Sequence, residues 1–265
     1  MRDQAQALRD RAPLAARSDE DGRTGPETVV IGSGKGGVGK SVAAVLLASA
    51  LARQGRRTLL VDGSLELGHL HILLGVYPSV RLESVVAGEA RPADLLTPVT
   101  DSLWLLPADP GTGRVHALTS LDRARLHHRL CGLYDGFEAV IVDAGPGIEG
   151  VVRATTLRAT RMIVVAVPEP ASLSDAYALI KLVHLQVPTL PVGVLVNRVL
   201  EPDEARWAHE RLDQATRRFL QRTVEDVGSM AEDVALRRAV TRPGGLLSER
   251  HPAIEVLAQG MGVRV

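Results

Sequence analysis

Residues 34–41 read Gly34-Lys35-Gly36-Gly37-Val38-Gly39-Lys40-Ser41 and fit the pattern G-x-x-x-x-G-K-[ST]. Glycines at this density let successive backbone N–H groups turn inward without side-chain clash. A helix opening at the end of the loop adds its own N-terminal donors, so the segment is an anion cradle. At these positions the Lys40 ammonium reaches β- and γ-phosphates and the Ser41 hydroxyl is a magnesium ligand. Lys35 is additional to the pattern. A second ammonium beside the first costs repulsion unless more negative charge is present, so Lys35 is read as serving a triphosphate, with a facing subunit as one place to hold it. Among 31 basic residues, lysine occurs only at Lys35, Lys40 and Lys181. Arginine serves wherever a generic cation suffices, so a compact ammonium is required in this loop.

Two acids follow apolar runs. Asp62 ends Leu59-Leu60-Val61-Asp62, where a carboxylate holds the magnesium shell through water. Asp143 ends Val140-Ile141-Val142-Asp143 and precedes Ala144-Gly145-Pro146-Gly147. An acid there sits near magnesium, and the glycines let a switch follow the γ-phosphate. Alone, an acid after an apolar strand is as well explained by a strand-end turn; the upstream loop tips the reading. Asn197 and Arg198 end a further run, Val196-Asn197-Arg198, where a turn asparagine is an equally good local explanation. His127 and His128 are adjacent on a helix and do not face one another, which leaves no metal pair.

These residues need a frame of strands and helices. Short β-branched runs at 28–31, 58–61, 139–142, 162–167 and 192–196 predict buried strands, and 103–106 a weaker one. Helices are predicted at about 40–54, at 121–133 with Ser120 as N-cap, at 174–185 and at 203–221. In the last, Ala208, Leu212, Ala215 and Phe219 share a face. Pro243 and Gly244-Gly245 mark a loop before a short closing helix near 252–259. The alternation predicts an α/β fold, a mostly parallel sheet with helices on both faces. Residues 1–27 read as an arm and polar linker, and 28–265 as the domain.

Composition narrows the classes. The 265 residues carry 31 basic and 31 acidic side chains, so the surface as a whole is not built for nucleic acid. The lone Cys131 supports neither an intrachain disulfide nor a four-thiolate cluster within one chain. The expected compartment is the reducing cytoplasm. The longest apolar run, 42–52, is shorter than the roughly 20 residues a bilayer span needs, and the mixed-charge N-terminus is not a secretory signal.

The GKGGVGKS loop with its extra lysine resembles the MinD/ParA class of dimerising ATPases, a deviant Walker A branch of the P-loop NTPases. The resemblance implies ATP and Mg2+ as cofactors and an ATP-dependent homodimer. It gives Lys35, Lys40 and Asp62 catalytic roles, with Lys35 crossing to the partner subunit's ATP. Ser41, Asp62 and Asp143 are then the magnesium set. Gly34, Lys35, Gly36, Gly37, Val38, Gly39, Lys40 and Ser41 hold phosphate, and Asn197 and Arg198 lie at adenine. The chain departs from the class at three places: Ser64 replaces an acid, His69 an asparagine, and Ala231 a proline. A serine holds water but cannot take its proton at neutral pH, so slow turnover is expected. Glu66 is the alternative acid.

Two further stretches resemble the flagellar-number regulators of the FlhG (FleN) branch: residues 167–181 (VPEPASLSDAYALIK) and the switch at 143–148. The N-terminus adds Asp3-Gln4-Ala5-Gln6-Ala7-Leu8-Arg9, which matches the D-Q-A-x-x-L-R motif of that branch. The resemblance implies docking of Asp3, Gln4, Ala5, Leu8 and Arg9 on the signal-recognition-type GTPase FlhF and stimulation of its GTP hydrolysis. A short helix presenting Ala5 and Leu8 suits a groove, and a glutamine such as Gln4 orients water in other GTPases. Flagellar C-ring components or a flagellar transcription activator are further implied partners. The C-terminal HPAIEVLAQGMGVRV lacks a basic polar face, so core packing is expected, with membrane contact weak or indirect at the inner face of the cell membrane. Two alternatives stand beside this reading. One is a ParA-type DNA-partitioning ATPase using Arg217-Arg218 and Arg237-Arg238. The other is an ATP-gated adaptor that hydrolyses little, motivated by Ser64.

Overall fold

Strand β1 (Glu27–Gly32) is apolar on both sides: Val29 and Ile31 meet one helical layer, and Val30 meets the other. The same alternation recurs in β5 (Ala139–Ala144) and β6 (Arg161–Ala166). Val140, Val142, Met162 and Val164 face one layer; Ile141, Ile163 and Val165 face the other. Strands of this kind are stable only at the centre of a covered parallel sheet. In the computed structural model, which describes residues 25–64, 68–108, 118–145 and 147–261, they take that place.

The sheet has eight strands in the order β3-β4-β2-β5-β1-β6-β7-β8. The others are β2 (Thr58–Gly63), β3 (Thr97–Thr100), β4 (Leu103–Leu106), β7 (Val192–Val199) and β8 (Glu225–Ala231). Only the β3–β4 pair is antiparallel. One face is covered by α1 (Lys40–Arg53), α2 (Leu70–Leu74), α8 (Val234–Val240) and α9 (Pro252–Gly260). The opposite face is covered by α3 (Leu82–Val86), α4 (Ser120–Cys131), α5 (Gly147–Arg158), α6 (Pro170–Gln186) and α7 (Pro202–Leu220). Strand β1 lies between β5 and β6, so the chain leaves it toward β2 on one side and later crosses it on the way from β5 to β6. Crevices at such switch points, beyond the carboxyl ends of parallel strands, are where ligands bind.

The six strands expected from the sequence are all present. The two edge strands β3 and β8 are additions. Strand β3 contains Pro98 and buries no residue fully, and β8 buries only Met230, so neither carries the apolar run of a central strand. Helix α4 is capped by Thr119, whose hydroxyl accepts from Asp122 N–H, and not by Ser120. Helix α7 buries Ala208, Leu212 and Thr216, while Phe219 is 65% exposed. Thr216 takes the inward position because its hydroxyl donates to the Asp213 carbonyl and so enters the core satisfied.

Helix α9 packs on α1 with Ile254, Leu257, Ala258 and Met261 buried, and Arg53 pairs with Glu255 at 2.6 Å. This is the core role expected for the segment. Among the described residues no helix is long and apolar enough to cross a membrane.

Candidate functional site

The glycine loop joins β1 to α1 at the switch point. Gly37 (φ 76°) and Gly39 (φ 96°) occupy left-handed conformations that side chains resist. A Cβ at Gly36 or Gly37 would meet nothing within 4 Å, so the loop borders open space. At Gly34 it would lie 2.2 Å from the Asp175 carbonyl oxygen, because α6 packs directly on the loop. Helix α1 begins after Gly39 with no side-chain cap. Its first-turn donors are the kind an anion satisfies.

Lys40 and Asp143 meet below the loop, Nζ to Oδ1 at 2.5 Å, with side chains 17% and 7% exposed. Their contact follows from strand order: Asp143 is in register with Ile31 of β1 on one side and with Asp62 of β2 on the other. Asp62 is held by backbone. Its Oδ1 accepts from Ser64 N–H at 3.1 Å, and its Oδ2 from His69 N–H and Leu70 N–H at 3.0 and 3.2 Å. Burial pushes the Asp62 carboxyl up to about 6; the Leu70 N–H opposes that rise and the neighbouring Asp143 adds to it.

The donor set fits magnesium and a polyphosphate. Two carboxylates at adjacent strand ends and a hydroxyl at the start of α1 are hard oxygen donors. Asp143 beside the buried Asp62 adds to the cost of ionising Asp62, a cost that a divalent cation would relieve. The open glycine loop above Lys40 supplies room for the anion.

Around the mouth the side chains are committed within the chain. Lys35 pairs with Glu169 at 2.8 Å, and that bond holds the Glu169 carboxyl below the usual range. Asn197, at the end of β7, donates from Nδ2 to the Val38 carbonyl of the loop at 2.7 Å. Arg198 has φ 58°, is exposed, and approaches Glu232 at 3.9 Å. The structure thus gathers Gly34 to Ser41, Asp62, Asp143 and Asn197 at one end of the sheet. Glu66, Pro146 and residues 3–9 lie outside the described residues.

Sequence reasoning missed the pairing of Glu169, which lies in the 167–181 stretch without being marked as a partner of Lys35, and the loop contact of Asn197. It also missed a small cavity behind Asp62, about 40 Å³, lined by His127, Leu130, Tyr134 and Arg153. Nε2 of His127 is buried there without a hydrogen-bond partner among the described residues.

Residues 29–243 match the family model of the CobQ/CobB/MinD/ParA nucleotide binding domain. The chain belongs to that family. Within the CobQ/CobB/MinD/ParA family, the domain is 33% identical over 216 residues to the antiactivator FleN of Pseudomonas aeruginosa, covering 82% of this chain and 77% of FleN. It is 28% identical over 192 residues to the flagellum site-determining protein YlxH of Helicobacter pylori, covering 72% of this chain and 65% of YlxH. Among solved structures, the cell division ATPase MinD of Pyrococcus furiosus superposes with a TM-score of 0.70 at 25% identity, over 89% of this chain and 98% of that one. MinD of Pyrococcus horikoshii, solved with Mg-ADP, has the same fold with a TM-score of 0.70 at 23% identity.

Proposed function

We propose that the protein is an ATP-dependent switch that regulates flagellar number or placement. The observation that carries the reading is the glycine loop with its two lysines, set over Asp62 and Asp143 at the switch point of a MinD/ParA-type sheet. The similarity to FleN and YlxH supports the flagellar part.

Bound ATP with magnesium supplies a transferable phosphoryl group. The chain's own residues bind and orient. Backbone N–H groups of Gly36 to Ser41 would face the phosphates together with Lys40, and Ser41, Asp62 and Asp143 would hold the metal. Asn197 and Arg198 lie on the side of the base. Lys35 leaves Glu169 for the triphosphate of a second copy, which makes the bound nucleotide part of a homodimer interface. Ser64 holds the attacking water by hydrogen bond but does not remove its proton, so turnover is slow. With the cytoplasm as its place of action, the N-terminal Asp3, Gln4, Ala5, Leu8 and Arg9 dock on an FlhF-type GTPase, and C-ring components or a transcription activator are further partners.

Ser64 also favours a second reading, an ATP-gated adaptor that seldom hydrolyses. The DNA-partitioning reading draws less support: Arg217 and Arg237 are each paired with an acid, Asp213 and Glu232. The test is to size the full chain by light scattering with Mg-ADP, Mg-ATP and a non-hydrolysable analogue, beside a turnover assay. A dimer with ATP and the analogue but not ADP is expected. No uptake of nucleotide, or uptake by a protein that stays monomeric, overturns the switch.

A further inference from the structure

The family resemblance puts Asn197 at the base, yet one N–H of its amide is committed to the phosphate loop. Nδ2 donates to the Val38 carbonyl at 2.7 Å, across 159 residues of chain. Both ends of this contact are anchored: Asn197 is 8% exposed at the end of β7, and the Val38 side chain is 3% exposed within the core under α1. Gly39 is shaped to admit the amide, since a Cβ there would stand 2.2 Å from Nδ2 and its φ is 96°.

The geometry of the peptide unit gives this bond a consequence. No peptide bond among the described residues is cis, so the Val38 carbonyl and the Gly39 N–H point in opposite directions. Fixing the carbonyl toward β7 aims the Gly39 N–H away from β7. The buried Val38 side chain anchors the loop, but Gly37 and Gly39 on either side leave the plane of that peptide free to turn. With no side-chain cap on α1, the orientation of this peptide depends on an external partner, and Asn197 supplies it among the described residues.

We infer that Asn197 is a positioning residue for the phosphate loop: it sets the Val38–Gly39 peptide before any nucleotide binds, and so governs affinity for the phosphates irrespective of the base. The inference rests on the phosphate-site reading of the loop. It also explains why an asparagine suits the position. The amide donates to the loop and keeps a carbonyl and a second N–H for a ligand.

The test uses the full chain and two variants, Asn197→Ala and Asn197→Asp; the second keeps the shape but presents no donor to Val38. Hydrogen–deuterium exchange of nucleotide-free protein is expected to quicken in the 34–41 peptide of both variants, with β6 and α7 protected as in wild type. Calorimetry then compares Mg-ATP with magnesium tripolyphosphate, which has no base, on wild type and Asn197→Ala; the charge of the Asp variant would itself repel anions. Both ligands are expected to weaken by a similar factor, about three- to ten-fold for one hydrogen bond. Unchanged loop exchange, or weaker ATP with undiminished tripolyphosphate, overturns the inference and leaves Asn197 as a base reader. Wild type that takes up neither polyanion defeats the phosphate-site reading instead, so the two failures are distinguishable.

Discussion

Lys35 and Glu169 are joined at 2.8 Å across 134 residues, and the lysine that marks the loop is therefore neutralised within its own subunit. Both side chains are exposed, and exposed pairs add little to stability. In the proposed dimer the pair is a competitor: a triphosphate from a second copy would have to displace Glu169. Glu169→Gln is expected to leave the thermal midpoint nearly unchanged and to lower the protein concentration at which ATP-dependent dimers form. Lys35→Ala is expected to abolish those dimers while the monomer still binds ATP. Analytical ultracentrifugation with ATP checks both, and a Glu169→Gln protein that dimerises no more readily than wild type removes the competition.

Ser64 adjoins Asp62 at the end of β2, its N–H bonded to the Asp62 carboxylate. Restoring an acid at this place is expected to raise single-turnover hydrolysis by about 10²-fold or more, the range of a positioned acid–base group. An unchanged rate for Ser64→Asp would falsify the reading of Ser64 as the cause of slow turnover.

Gly34 admits no side chain, because its missing Cβ sits against the backbone of α6. Gly34→Ala must push the loop off α6 or shift the helix. Loss of nucleotide binding, with a lowered melting temperature, is the expected outcome. Gly36→Ala, where the added methyl meets open space, is the control and is expected to fold as wild type.

His127 links stability to pH. Burial, with the Arg153 charge acting in the same direction, lowers its imidazole from the ordinary 6.5 to about 4. The folded state therefore prefers neutral histidine. Its contribution is present in full above pH 6.5 and is lost as the pH falls through about 4. The ceiling on that loss is about 3 kcal/mol, from a difference of roughly two and a half pH units. Urea titrations at pH 7 and pH 4.5 are expected to show a smaller acid penalty in His127→Leu than in wild type. Equal penalties assign the acid sensitivity to other groups.

Much of the molecule is readable from its residues. The central strands announce themselves because each is apolar on both faces, and the loop because glycine and lysine recur at fixed steps. The edges do not. Strand β3 holds Pro98 and β8 buries only Met230, so both look like loops until a neighbour's backbone pairs with them. The Thr119 cap is one residue from the hydroxyl that competes with it, Ser120, and local sequence does not separate the two. Glu169 and the loop contact of Asn197 are hidden for another reason. Each depends on a partner more than 130 residues away, and nothing in the surrounding sequence names that partner.

Burial of Ile254, Leu257 and Met261 against α1 sets a further expectation. With that face occupied, α9 has no free apolar stripe to insert in lipid. Co-sedimentation with anionic vesicles is expected to stay at background with or without ATP. ATP-dependent sedimentation lost in Leu257→Asp would show that α9 leaves the core.

The scarcity of primary amines has a practical outcome. Two of the three lysine side chains lie in ion pairs at the same loop, one more sheltered than the other, and the third is exposed on α6. Reductive methylation with carbon-13 formaldehyde would give an NMR spectrum of very few peaks, two of them reporting directly on Glu169 and Asp143. The molecule thus carries its own spectroscopic gauges, and each stage of the proposed cycle is open to observation without introducing a foreign label by mutation.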